Sequence, residues 1–210
     1  NGAGKTTLIA QIMGSLKPDS GVIEFDGTDI TSFTTESRAQ AGLGRTFQIS
    51  QLAMDQTVLQ NVVLGTVGET RGVWKFWRPV LAVQELRERA MESLSEVGLA
   101  DKAATPVSEL SHGGRRQLEV AIALTLNPKA FVMDEPLAGL GSDGSKKMTI
   151  FLDNLRARAP ILLVEHDMEA VFALSDRISV LVSGVVIATG SVDQIRNDAR
   201  VRKAYLGEDA

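Results

Sequence analysis

The chain has 210 residues, of which 44% are hydrophobic, and a formal net charge of −4. This length allows one large domain with a buried core, or a core with a subdomain. The acidic balance argues against a nucleic-acid binder with a broad basic face, and the absence of cysteine excludes disulfides and thiolate metal sites. The longest apolar runs have about four to six residues, far short of the roughly 20 that span a bilayer. Any membrane association therefore has to come through a partner.

The first part of the chain predicts alternating helices and strands, then a helical stretch from about residue 50 to residue 127. A turn cluster, Lys17-Pro18-Asp19-Ser20-Gly21, separates the first helix from the first strand. The predicted elements are helix Thr6–Leu16, strand Val22–Phe25, helix Thr35–Ala41, strand Leu43–Phe47, and helices Thr57–Leu64, Pro79–Val97 and Gln117–Leu126.

Strand patterns return in the last third of the chain. The predicted elements are strands Ala130–Met133, Ile161–Val164 and Ile178–Val182, helices Ser142–Arg158 and Asp167–Ser175, and a closing hairpin strand Val185–Ala188. Strands separated by helices predict an α/β fold with a mostly parallel sheet covered on both faces.

A phosphate-binding loop opens the chain, and its residues are Asn1, Gly2, Ala3, Gly4, Lys5, Thr6 and Thr7. Backbone N–H groups of the loop and of the following helix start can point at a polyphosphate. We expect Lys5 to reach the β- and γ-phosphates and the Thr6 hydroxyl to ligate Mg²⁺. The full motif requires a glycine five residues before Gly4, just ahead of Asn1. We therefore expect the natural protein to extend further at its amino terminus.

Two carboxylates, Asp134 and Glu135, follow the apolar strand Ala130–Met133. In parallel α/β sheets the carboxyl ends of the strands face the ligand crevice, so both side chains are expected near the phosphates. Asp134 is predicted to hold the hydration shell of Mg²⁺, and Glu135 to orient or deprotonate an attacking water. The alternative is an ordinary strand that ends in a solvated acidic turn.

A third segment, LSHGGRRQLE, begins at Leu110, directly before the helix predicted at Gln117–Leu126. The Ser111 hydroxyl and the amides of Gly113 and Gly114 can form a second anion site near a helix N-terminus. The alternative is a serine-capped helix with a flexible Gly-Gly lead.

These three segments together resemble the ATP-binding cassette (ABC) ATPases, whose signature L-S-G-G-Q lies where Ser111 and Gly113 stand. His112 and Gly114 depart from the commonest form, and Gly141 stands where many cassettes have an aspartate, which weakens the expectation of cross-subunit coupling at that loop. The resemblance covers essentially the whole chain. It implies ATP hydrolysis with ATP and Mg²⁺, and a P-loop NTPase (RecA-like) core with an inserted α-helical subdomain.

The resemblance also implies roles for residues that the pattern alone does not assign. Gln48 matches the glutamine that touches Mg²⁺ and couples to the membrane subunit, and His166 matches the switch histidine that contacts the γ-phosphate. The Ser111 segment would close on the γ-phosphate held by a second ATPase subunit, identical or related. His112 is either a partly exposed loop residue or a direct nucleotide contact.

One ABC ATPase domain over residues 1–210 is implied, with its RecA-like core at 1–49 and 128–210 and the helical subdomain at 50–127. The implied partners are integral membrane permease subunits and, indirectly, a periplasmic or extracellular solute-binding protein, with no nucleic acid. This places the chain peripherally on the cytoplasmic face of the inner membrane. Since the first strands of the core would be missing, we expect these 210 residues alone to bind ATP poorly and to expose an unpaired sheet edge.

Within the family, several segments favour the ATPases of branched-chain amino acid importers, or of urea or amide importers. The segments are RTFQ at Arg45, RRQLE at Arg115, EHDM at Glu165 and the tail from Gln194 to Glu208. The ATPase of lipopolysaccharide export is an alternative, because it shares the Tyr-Leu-Gly-Glu ending. A soluble ABC ATPase acting on DNA or ribosomes is a further alternative. It is disfavoured because the chain has one set of motifs and no sustained heptads between Ser50 and Gln84.

Overall fold

The structure, a computed structural model, describes residues 2–45, 52–69 and 84–205. The helices are α1 (Lys5–Ile12), α2 (Thr35–Ala41), α3 (Val58–Glu69), α4 (Gln84–Glu96), α5 (His112–Thr125), α6 (Gly141–Arg156), α7 (Met168–Leu174), α8 (Val192–Asn197) and α9 (Ala199–Tyr205). The strands are β1 (Glu24–Phe25), β2 (Thr28–Asp29), β3 (Leu43–Arg45), β4 (Ala130–Asp134), β5 (Ile161–Val164), β6 (Ile178–Val182) and β7 (Val185–Gly190).

The predicted elements are found in the predicted order, and the largest differences lie at their ends. Helix α1 ends at Ile12 rather than Leu16, since Gly14 takes up a left-handed conformation with φ of 79°. No helix is predicted after the closing hairpin, whereas α8 and α9 form there. The end of the predicted strand at Phe47 and the first residues of the helix predicted at Pro79–Val97 lie outside the described residues.

The chain divides into two compact units, one of Asn1–Ser32 with Val164–Ala210 and one of Phe33–Leu163. The first unit contains two antiparallel hairpins, β1–β2 and β6–β7. Each hairpin turns on two residues with positive φ, 51° and 73° at Asp26-Gly27 and 47° and 80° at Ser183-Gly184. Such pairs form the type I′ turns whose twist matches that of the flanking strands.

The second unit contains a sheet of order β3-β4-β5, in which β3 and β4 are parallel. Strand β4 is its most buried described strand, with Phe131, Val132 and Met133 no more than 2% exposed. Strand β3 approaches the start of β4 closely, because a β-carbon at Gly44 would lie 2.7 Å from Pro128 Cβ. A continuous apolar strand of this kind is typical of a sheet covered on both faces, as the sequence predicts.

The second unit also contains a helical layer, in which α3, α4 and α5 pack against one another. Gly65 lets α3 approach α5 closely, since a β-carbon there would lie 2.9 Å from Ile122 Cγ2. Side chains on α4 and α5 add hydrogen bonds to helix ends: Arg89 Nη2 donates to the Thr125 carbonyl at 3.1 Å, and Gln117 Nε2 donates to the Val97 carbonyl at 2.9 Å. The two bonds join α5 to α4 and to the residue that follows α4. The predicted boundaries between the RecA-like core (1–49 and 128–210) and the helical subdomain (50–127) stay a prediction.

A buried carboxylate on α5 makes the stability of this layer dependent on pH. Glu119 is fully buried and accepts a hydrogen bond from Arg116 Nη1 at 2.8 Å, while its Oε1 has no partner among the described residues. Burial raises the pKa of Glu119 to about 7, against the opposing effect of the Arg116 hydrogen bond and charge. A raised carboxyl pKa gives stability that is complete below the unfolded pKa and is lost as pH rises through about 7.

We therefore expect Glu119→Gln to raise the free energy of unfolding at pH 8 by about 1 to 3 kcal/mol, with a smaller gain at pH 6. Thermal unfolding followed by circular dichroism at both pH values measures the difference. Glu92→Gln, at an exposed position of α4, removes the same charge and serves as control. A Glu119→Gln variant that is equally destabilised at both pH values would contradict the pKa assignment.

Candidate functional site

The phosphate loop is shaped by glycines in left-handed conformations. Gly2 and Gly4 both have φ of 91°, and Gly4 is the residue from which α1 begins. Glycine offers no side chain to cap the helix, so the first N–H groups of α1 are left to an outside acceptor. Lys5 is half-buried at the first turn, and Thr6 and Thr7 are exposed beside it. This arrangement suits a bound polyphosphate.

The turn of the β6–β7 hairpin contacts the phosphate loop and supports it. Gly184 N donates to the Ala3 carbonyl at 2.9 Å, and a β-carbon at Gly4 would lie 3.4 Å from Gly184 Cα. The sequence predicts a hairpin here, but the role of its turn, Ser183-Gly184, in supporting the phosphate loop is not visible in the sequence. The two segments are about 180 residues apart, and no local pattern records such a contact.

The acidic pair lies at the end of the buried strand β4, as predicted. Asp134 is the last residue of β4, and both carboxylate residues are half-buried. Glu135 has φ of 48°, a left-handed conformation that a residue with a long side chain seldom adopts. Strain of this kind persists where the surrounding structure imposes it, and it is concentrated at active sites.

The segment at Ser111 differs from the prediction, because α5 begins at His112 and not at Gln117. Gly113 and Gly114 lie in the first turn of the helix rather than in a flexible lead. Ser111 caps that turn by accepting a hydrogen bond from Gly114 N at 3.2 Å. The exposed Ser111 hydroxyl can still donate its proton. The correction follows from the cap, which outweighs the low helix propensity of two glycines.

His166 follows β5 and precedes α7, and its side chain is 63% exposed. Its backbone N–H donates to Oε2 of the buried Glu165 at 3.2 Å, and its Nδ1 lies 3.9 Å from the same oxygen. Asp167 then caps α7 by accepting from the Glu169 and Ala170 N–H groups. The imidazole is thus presented on a short, well-anchored turn.

The predicted site residues fall into two groups. The first unit contains the phosphate loop and His166, and the second contains Ser111, Gly113, Gly114, Asp134 and Glu135. Asn1 and Gln48 lie outside the described residues. Convergence of the two groups on one nucleotide stays a prediction. The second unit brings two of its own segments together, since the start of α5 contacts the loop that follows Glu135.

Among residues 2–45, 52–69 and 84–205, no group of three or more histidine, aspartate and glutamate side chains is placed to hold a metal ion. The donors predicted for Mg²⁺ are the Thr6 hydroxyl, the Asp134 carboxylate and Gln48, which lies outside the described residues. Such a set fits Mg²⁺, which takes one or two carboxylates and completes its shell with water and substrate phosphates.

In the same described ranges, no helix is long and apolar enough to cross a membrane.

Two family models match the chain. The ABC transporter model matches residues 1–138, and the model of the branched-chain amino acid ATP-binding cassette transporter matches residues 185–210. The high-affinity branched-chain amino acid transport ATP-binding protein LivG of Escherichia coli (strain K12) is 35% identical over 99% of this chain and 84% of its own length. The lipopolysaccharide export system ATP-binding protein LptB of Haemophilus influenzae is 34% identical over 99% of this chain and 83% of its own length.

Solved structures give the same picture. A nucleotide-free ATP-binding cassette from an ABC transporter superposes with a TM-score of 0.87 at 30% identity, covering 99% of this chain and 85% of that one. The dimeric post-hydrolysis state of the cassette MJ0796, bound to ADP and Pi, superposes with a TM-score of 0.76 at 26% identity. The match covers 90% of this chain and 81% of that one. The predicted α/β fold of the P-loop NTPase class is confirmed.

Proposed function

Because the chain belongs to the ABC transporter family and is an ATP-hydrolysing cassette of that family, we propose that it energises the uptake of branched-chain or other hydrophobic amino acids. The solute would pass through membrane permease subunits, to which this chain binds on the cytoplasmic side of the membrane. A solute-binding protein would deliver the solute and act on this chain only indirectly.

The observation that supports the catalytic part of the proposal is the conformation of Glu135. The backbone of Glu135 has φ of 48° directly after a buried strand, a strained conformation that the surrounding structure has to impose. We assign it to orienting or deprotonating the attacking water, with His166 as the contact to the γ-phosphate. Lys5 and the open N-terminus of α1 would hold the β- and γ-phosphates.

Mg²⁺ would be held by Thr6, Asp134 and Gln48. Once bound, it would offset charge on the phosphate oxygens during hydrolysis. The residues of this chain then have separate tasks: Lys5 binds the phosphates, Asp134 orients the bound ion and its water, and Glu135 receives the proton of the attacking water.

We assign to the Ser111 segment the role of binding the nucleotide that a second ATPase subunit holds. Its position at the exposed start of α5, with Gly113 and Gly114 in the first turn, suits an anion that approaches from outside the chain. Two cassettes would pair head to tail, and ATP binding would close the pair. Hydrolysis would reopen it and drive alternating access in the permease. The pair is formed by identical or by related chains.

The solute class is supported by the match of residues 185–210 to the branched-chain amino acid cassette model and by the similarity to LivG. To test it, the chain is co-purified with its permease, reconstituted in proteoliposomes with the solute-binding protein, and assayed for ATPase activity with L-leucine, L-isoleucine, L-valine, urea and acetamide. We expect a branched-chain amino acid to stimulate hydrolysis about fivefold or more. Stimulation by urea or acetamide alone would contradict the amino acid assignment.

Lipopolysaccharide export is the second candidate, since LptB of Haemophilus influenzae is 34% identical to this chain. The same preparation separates the two functions. An exporter would co-purify with a permease that has no solute-binding protein, and its ATPase activity would respond to lipopolysaccharide and not to leucine.

A further inference from the structure

A contact within the second unit joins the start of α5 to the loop that follows Glu135. A β-carbon at Gly139 would lie 3.5 Å from Cε1 and 3.6 Å from Nδ1 of His112, so the imidazole lies next to Gly139, at contact distance from the place a methyl group would take. The next pair also meets, because a β-carbon at Gly113 would lie 3.3 Å from Leu140 Cδ2. Two successive residues of the helix thus pack on two successive residues of the loop.

The loop itself is held by its own backbone. Ala138 N donates to the Glu135 carbonyl at 3.1 Å, and Leu140 N donates to the Leu137 carbonyl at 3.4 Å. Leu137 is only 5% exposed and fixes the middle of the loop. The loop begins at Glu135 with φ of 48° and reaches Gly139 with φ of 74°. Few backbone conformations satisfy these restraints together, so a shift at Gly139 changes the orientation of Glu135.

The other side of the contact is equally well fixed. Helix α5 is anchored by Leu118, Val120 and Ala121, each no more than 2% exposed. His112 itself is exposed, so its ring adds little to the hydrophobic core. The ring instead lies beside the loop at Gly139, the position that has no side chain of its own.

We infer that His112 is a positioning residue that holds the loop after Glu135 beside the start of α5. This rests on the proposed role of Glu135 in hydrolysis. When Ser111 binds the second subunit's nucleotide, the position of Glu135 in the same chain would then change.

The test compares His112→Ala with His112→Phe in the transporter purified with its permease. His112→Ala removes the ring, and we expect kcat for ATP to fall about tenfold while KM changes less than about twofold, since misplacement of a reacting group affects the chemical step. His112→Phe keeps a flat ring beside Gly139, and we expect at least about half of the wild-type kcat. A His112→Ala variant with wild-type kcat would overturn the inference.

A rise in KM at unchanged kcat would also overturn it, because that result indicates a direct nucleotide contact. Glu135→Gln is assayed beside these variants. If Glu135→Gln hydrolyses ATP normally, the proposed function of Glu135 fails. If Glu135→Gln is inactive and His112→Ala is unaffected, only the role of His112 fails.

Gly139→Ala tests the other side of the contact, with Gly98→Ala as a matched control. The two glycines have φ of 74° and 73°, so alanine brings the same backbone strain to each. No atom lies within 4 Å of a β-carbon at Gly98. We expect Gly139→Ala to lower kcat and Gly98→Ala to leave it unchanged, and we expect the effects of His112→Ala and Gly139→Ala not to add. Additive effects would show that the two residues are not coupled.

Amide hydrogen exchange gives a readout that does not depend on activity. In His112→Ala we expect faster exchange at residues 138–140, with no change in α1. Unchanged exchange at residues 138–140 would contradict a role of the ring in holding the loop.

Discussion

Glu135→Gln is expected to lower the rate of ATP hydrolysis at least about a hundredfold and to leave ATP binding intact. Glutamine has nearly the shape of glutamate and can keep the same backbone conformation, but its amide does not accept a proton from water. Loss of a general base alone typically costs 10²- to 10⁴-fold. The nucleotide contacts made by the phosphate loop do not involve this carboxylate, so the affinity for ATP is maintained.

The measurement is steady-state phosphate release at saturating Mg-ATP, together with a titration of a fluorescent ATP analogue, on the complex with the permease. Glu109→Gln removes the same charge from an exposed position shortly before Ser111 and serves as control. If Glu135→Gln hydrolyses ATP at the wild-type rate, Glu135 has no part in the chemistry.

Lys5→Ala is expected to weaken ATP binding about 10- to 150-fold, the range for loss of a charged hydrogen bond of 1.5 to 3 kcal/mol. The half-buried position of Lys5 at the first turn of α1 brings its ammonium close to the anion that the helix N-terminus attracts. Helix dipole and backbone amides remain in the variant, so binding is reduced and not abolished.

Equilibrium titration with the same ATP analogue measures this change. Lys17→Ala, beyond the other end of α1 and exposed, removes an equal charge from the same part of the chain. A dissociation constant for Lys5→Ala within about threefold of the Lys17→Ala value would contradict the assignment of the phosphate loop.

Much of the fold is predictable because its elements are defined by local patterns. Helix α2 has the predicted bounds, since Thr34 caps it by accepting from Ser37 N and Gly42 ends it with φ of 106°. Helix α8, which is not predicted, has an equally clear local signal, because Ser191 and Gln194 form a capping box. At α5, the cap at Ser111 outweighs the low helix propensity of Gly113 and Gly114, which explains the wrong predicted start.

The candidate site is only partly predictable, because its parts are placed by contacts distant in sequence. The motifs identify Lys5 and Glu135 by type and spacing, and the structure adds the backbone conformation of Glu135. The support of the phosphate loop by Gly184 and the contact of His112 with Gly139 depend on packing. Neither contact has a signature in a single sequence.

The central claim is that the phosphate loop, the acidic pair and a second subunit's Ser111 segment surround one ATP. Its most direct test is a structure of the Glu135→Gln transporter with Mg-ATP, in which the distances to the γ-phosphate are measured. We predict Lys5 Nζ within about 3 Å of a γ-phosphate oxygen, the residue-135 amide within reach of the attacking water, and Ser111 of the other ATPase subunit at hydrogen-bond distance from the same phosphate. Lys5 and the Asp134-Glu135 pair on opposite sides of the molecule, or Ser111 remote from any nucleotide, would contradict the claim.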